Sequence, residues 1–247
     1  MSITALIWSL AAITVFYCGT RVYQVYQKTK NRSVGDFGKY LLFGGAGVII
    51  PVASFFIGGA PWLSVGFVIG VFVKIIGVAF LIRLVLSFVA PKFEKIVFYF
   101  VIVANFLILG VNVKYMTVAY PGFNPLTGAF PINLPVGLGL LVLVILLPAF
   151  IIPAVVFIKK ALGSVDKVVR LRGFLIGLAI LFFLVSISTC GIATRVVPLF
   201  FNNLLVALAA LFIFIGITRV NQIEKPEAML PPSVSPTPPY TPISIKW

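Results

Sequence analysis

The feature that most constrains this chain is a succession of apolar runs, each about twenty residues long, separated by short gaps. A bilayer core of about 30 Å is crossed by roughly 20 helical residues rising 1.5 Å each. On that scale the sequence holds seven spans, at about 3–22, 39–59, 63–89, 96–118, 135–158, 173–193 and 197–218. Each span must close its own backbone hydrogen bonds in lipid, so helices are the expected form. The two-residue alternation of a membrane barrel strand is absent. The predicted fold is therefore all-α, a polytopic bundle of seven transmembrane helices. Composition agrees: 61% of residues are hydrophobic and 10% charged, against about a quarter charged in a soluble domain. The third span is long and the fifth carries Pro148 and Pro153, so tilt and a kink are expected there.

A formal net charge of +14 would suit nucleic acid, but Lys and Arg lie in the short gaps, where they act as membrane orientation signals. No nucleic-acid partner is expected. The first gap holds Arg21, Lys28, Lys30, Arg32 and Lys39 against Asp36, and the third holds Lys92 and Lys95 with Glu94. The fifth holds Lys159, Lys160, Lys167, Arg170 and Arg172 with Asp166. Gaps 59–61 and 117–134 hold no charge, and the sixth holds only Arg195. Basic and neutral gaps thus alternate, which predicts a multi-pass protein of the cell (inner) membrane with its N-terminus outside and its C-terminus cytoplasmic. The first run, Ile3 to Thr20, has no basic segment ahead of it and reads as a retained helix rather than a signal peptide.

Residues 1–222 form the predicted seven-helix domain, and 223–247 a proline-rich cytoplasmic tail. That tail cannot continue a helix and is expected to be extended or disordered. It either offers a ligand for an aromatic-lined groove or has no specific role. The outer loop Tyr120–Pro135 carries aromatics and prolines without charge, so it lies over the helix ends or against another subunit.

Much membrane chemistry is excluded by missing residues. The chain has no histidine, which removes haem ligation and the usual metal sites, so neither a metal nor a cofactor is expected. Asp36, Glu94, Asp166, Glu224 and Glu227 all fall in gaps or the tail, leaving no intramembrane acid for a proton relay or an aspartyl protease. The last span has no lysine for a retinal Schiff base, and no Walker or dinucleotide glycine motif occurs. Cys18 and Cys190 fall near opposite membrane faces, too far apart to bridge. The chain is expected not to be an enzyme.

What polar content remains inside the spans is limited. Lys74 lies about 16 Å into the third span, where a lysine costs about 2.5–3.5 kcal/mol on insertion scales and must find protein, water or a ligand. Gly66, Gly70, Lys74 and Gly77 share one helical face, and Gly66 to Gly70 is a G-x-x-x-G, so this face is expected to pack closely on another helix. Arg83 lies on the other side, near the interface, and is expected to snorkel. Asn105 and Asn112 share a face of the fourth span, Ser186 sits on the sixth, and Asn202 on the seventh. Two readings stand. Lys74 with Asn105, Asn112, Ser186 and Asn202 lines an outward pocket for an anionic small molecule or lipid, or these groups only hydrogen-bond between helices.

The seven-span layout, the basic first inner loop and the stretch Lys167-Val-Val-Arg-Leu-Arg-Gly-Phe-Leu-Ile-Gly-Leu resemble the bacterial seven-helix sensor regions found ahead of histidine kinases. The likeness spans roughly residues 3–218. No kinase domain follows Thr218 in this sequence, so the resemblance implies signalling through a partner protein, reached through the membrane face or the tail. The leading expectation is a non-enzymatic receptor-like sensor or small subunit of a larger membrane assembly. The alternative is a small-solute or lipid transporter with a pocket near Lys74.

Overall fold

The computed structural model describes residues 3–116, 136–190 and 196–218. The outer loop and the proline-rich tail lie outside them. The chain folds into α1 (Ile3–Thr29), α2 (Arg32–Val89), a 3-10 turn (Pro91–Phe93), α3 (Glu94–Lys114), α4 (Val136–Leu162), α5 (Lys167–Cys190) and α6 (Val196–Thr218). No strand occurs among the described residues. Among the described residues, six segments are long and apolar enough to cross a membrane: Leu6–Thr29, Arg32–Ile57, Trp62–Val89, Pro91–Lys114, Lys167–Ser186 and Phe200–Thr218. The chain is a multi-pass helical membrane protein. Several helices overrun the apolar limits read from the sequence: α1 continues through the polar residues to Thr29, and α2 begins at Arg32 rather than near residue 39.

Two of the six segments belong to α2. Its 58 residues would reach about 87 Å if straight, far beyond one bilayer. Instead its limbs Arg32–Ile57 and Trp62–Val89 lie antiparallel. Asp36 pairs with Arg83, the Tyr40 carbonyl faces Gly77, Gly47 meets Gly70, and Pro51 meets Gly66. The junction before α2 is equally tight. Lys30 adopts a left-handed φ of 55°, and the Asn31 side chain accepts the Ser33 and Val34 N–H groups at 3.0 and 3.4 Å. That cap satisfies two of the orphan donors of the helix start.

Helices α1, α2, α4, α5 and α6 close around a common core. Val22, Leu41, Leu81, Leu84, Phe150, Ile180 and Ile213 are almost wholly enclosed there, and Tyr40 meets Phe183 edge-on at 5.4 Å. Small residues allow the close approaches. Gly45 lies on the Phe16 backbone and Gly38 on the Tyr23 backbone, while Gly173 and Gly177 lie on Ala161 and Ile158. The helix α3 stands outside this ring, packed on the second limb of α2 through Val101 and Ile108 against Ile75 and Ala79. Its outer face presents Ile96, Tyr99, Phe100, Val103, Phe106 and Leu107, an ordinary lipid-facing surface for a membrane helix.

The basic segments gather at one end of the bundle. Arg32 reaches Glu94, and the Lys160 ammonium sits 4.3 Å from the Phe88 ring centroid. Phe157 touches Phe37, and Gly216 lies beside the Arg172 carbonyl. Lys28, Arg32, Lys92, Lys160 and Lys167 therefore share one end of the bundle, the basic end.

Candidate functional site

The densest polar constellation lies at the basic end, where the two α2 limbs and α3 meet. Arg83 comes from the second limb, fewer than two turns before its close at Val89. Its guanidinium forks onto Asp36 of the first limb, Nε donating to Oδ2 at 3.1 Å and a terminal nitrogen donating to Oδ1. The same Nε stands 3.9 Å from Glu94 Oε1, and Arg32 donates to that Glu94 oxygen from the opposite side. Asp36 and Glu94 are 3% and 6% exposed, so neither carboxylate can rely on water. The fork geometry is specific to arginine, whose planar donors match a carboxylate in two bonds.

Aromatic rings complete the surroundings. Arg83 lies 4.9 Å from the Phe80 centroid and 5.0 Å from that of Phe98, and Lys39 approaches the Phe80 ring at 5.1 Å. Phe80 stacks on Phe43 at 5.7 Å, which fixes the ring against the first limb. Cations over such faces gain about 0.5–2 kcal/mol, more when desolvated. Glu94 opens α3, where a carboxylate also meets the positive end of the helix dipole. The arrangement can lock three segments at one end, and it does so through charges rather than apolar contact.

This corrects the expectation for Arg83. It does not snorkel toward solvent but turns inward, because two acids placed in gaps by the sequence are carried into helix ends beside it. A signal was present: Asp36 and Arg83 lie almost equally far from the neutral gap 59–61, where an antiparallel hairpin must turn.

The polar residues singled out within the spans are distributed over different seams. Lys74 is half-buried in the seam of the α2 hairpin, its stem against Gly47, and Gly66, Gly70 and Gly77 face the same opposing limb. Asn105 and Asn112 are 1% and 2% exposed on the opposite flank, where α3 meets the second limb. Asn105 donates through Nδ2 to the Phe72 carbonyl at 2.9 Å, while its Oδ1 is buried without a hydrogen-bond partner. Asn112 donates to the Ile108 carbonyl of its own helix at 3.0 Å. Ser186 and Asn202 are buried on α5 and α6, which pack on each other and not on α3. The limb that carries Lys74 is thus the one element that touches Asn105 and also bears Arg83. Among the described residues no group of His, Cys, Asp and Glu could hold a metal ion.

In comparisons with known proteins, no family model matches the chain, and neither does any curated protein or solved structure.

Proposed function

We propose that this chain is a non-enzymatic seven-span protein of the cell (inner) membrane that works as a receptor-like sensor. The observation that carries the reading is the Arg83 lock, which ties both limbs of α2 to α3 at the basic end. A receptor needs a bundle closed on the signalling side and a polar patch deeper in the membrane, joined by one rigid element. The second limb of α2 has that form, since Lys74 and Arg83 lie nine residues apart, about 13 Å along one helix. A core filled with Phe150, Leu41, Ile180 and Ile213 favours this over a transport path through the bundle. The same filled core also suits the second form of the proposal, a small subunit of a larger membrane assembly.

In this reading α4 also crosses the membrane, fifth in chain order and kinked by Pro148 and Pro153, which brings the count to seven, and the basic end faces the cytoplasm. The N-terminus is then outside, and the output passes to a partner protein, as the likeness to kinase-linked sensor regions implies. Orientation has a direct check. A single cysteine at Lys92, in a background lacking Cys18 and Cys190, should react with a membrane-impermeant maleimide only after the cells are permeabilised. Labelling in intact cells would reverse the topology.

The sensing function is tested by gentle purification of the wild type beside Lys74→Met and Asn105→Leu, followed by mass spectrometry of what copurifies. Asn105→Leu removes a buried acceptor that has no partner together with the hydrogen bond to the Phe72 carbonyl, so its stability should stay within about 1 kcal/mol of wild type. The expected result is an anionic compound held by the wild type and lost from Lys74→Met, with a partner protein retained by both. An identical set of compounds on proteins of equal thermal stability would sink the sensor reading.

A further inference from the structure

A cavity of about 380 Å³ opens at the basic end between the last turn of α4 and the first turns of α5. Ala161, Leu162, Lys167, Arg170, Leu171 and Phe174 line it. Lys167 and Arg170 are three residues apart on α5, so their side chains emerge on the same face one turn apart. Neither forms an ion pair with an acid among the described residues. The acid nearest in sequence, Asp166, is engaged elsewhere: its Oδ1 accepts the Val168 and Val169 N–H groups at 2.7 and 3.4 Å as the cap of α5.

The remaining lining is apolar and outward-facing. Leu162, Leu171 and Phe174 are 72%, 43% and 47% exposed at the margin of a membrane-crossing segment. Two unpaired cations at the end of a bundle, bordered by aliphatic and aromatic surface, match a molecule with an anionic head and an apolar body. Inorganic phosphate would satisfy the cations and leave the apolar border unused. Basic pockets between membrane helices are suited to anionic lipid headgroups for this reason.

We propose that this cavity binds the headgroup of an anionic phospholipid. The phosphate lies between Lys167 and Arg170, and the first acyl carbons run along Leu162, Leu171 and Phe174. The site is separate from the Lys74 seam and from the Arg83 lock.

The test uses the full-length protein in neutral detergent, titrated with phosphatidylglycerol or phosphatidylcholine and read by native mass spectrometry. Wild type is compared with Lys167→Gln/Arg170→Gln and with Lys28→Gln/Lys92→Gln, which removes equal charge from exposed positions at the same end. The site variant should bind phosphatidylglycerol roughly thirtyfold more weakly, with the control variant unchanged and phosphatidylcholine weak throughout. Leu162→Gln, at an exposed position without charge, should weaken phosphatidylglycerol several-fold and guards against a charge variant that fails to fold. Equal loss in both double variants would reduce the effect to general surface charge. Unchanged binding by the site variant, or displacement by equimolar inorganic phosphate, would overturn the lipid site.

Discussion

Replacing Arg83 with methionine is expected to lower stability by about 3–5 kcal/mol, measured by denaturant unfolding in detergent. The size of the effect comes from what is left behind. Asp36 and Glu94 are 3% and 6% exposed, and without the guanidinium Asp36 would lose its counter-charge and the two hydrogen bonds from Arg83 in a site that water barely reaches. Glu94 would keep Arg32, whose side chain is 58% exposed and whose pairing is correspondingly weak. Arg83→Lys should recover only part of the loss, since an ammonium cannot fork onto both Asp36 oxygens. The triple variant Arg83→Met/Asp36→Asn/Glu94→Gln should recover most of it, because the stranded charges are then gone. An Arg83→Met protein that unfolds within about 1 kcal/mol of wild type would show that the lock is solvated and structurally idle.

The second large effect is expected at the seam of the α2 hairpin. A Cβ at Gly70 would stand 2.5 Å from the Gly47 carbonyl oxygen and 2.9 Å from the Pro51 ring. A Cβ at Gly47 would meet the Gly70 carbonyl at 2.6 Å and collide with the Lys74 stem. Backbone oxygens cannot move aside as a flexible side chain does, so the limbs must separate. Gly70→Ala should cost about 1–3 kcal/mol and Gly70→Val more, read as a fall in thermal unfolding temperature in detergent. Gly44 and Gly110 provide the contrast, since nothing stands within 4 Å of a Cβ at either. Alanine there should be neutral or stabilise by up to about 1 kcal/mol. Equal responses at Gly70 and Gly44 would mean that the limbs do not touch as described.

These two effects bear on the proposed function differently. The hairpin seam sets how closely Lys74 is held against Gly47, and the Arg83 lock sets whether the basic end can open. A sensor would tolerate neither a loosened seam nor a broken lock without a change in its output. A passive subunit would tolerate both so long as it remained folded.

The helical membrane character was legible in the sequence because lipid imposes a single rule, that about twenty apolar residues must satisfy their backbone within one helix. Hydropathy and the gaps of Lys and Arg are local properties, so they survive without knowledge of neighbours. The shared face of Gly66, Gly70, Lys74 and Gly77 was legible for the same reason, being a matter of helical spacing. Which helix that face meets was not. The partner proved to be the preceding limb of the same helix, an outcome that depends on the turn between them and on Gly47 lying opposite.

The polar site required tertiary structure altogether. Asp36 lies 47 residues before Arg83 and Glu94 lies beyond the end of the same helix, and each looks like an ordinary interfacial charge when taken alone. Only antiparallel packing of the α2 limbs, followed by the short turn into α3, brings them within bonding distance and removes their water. The same packing keeps Lys74 and Asn105 in different seams and apart from Ser186 and Asn202 on α5 and α6, although all four are polar residues within apolar spans. Apolar length determined that this chain lives in a membrane as helices. Side-chain proximity between segments, which no single span encodes, decided where its charges are paired.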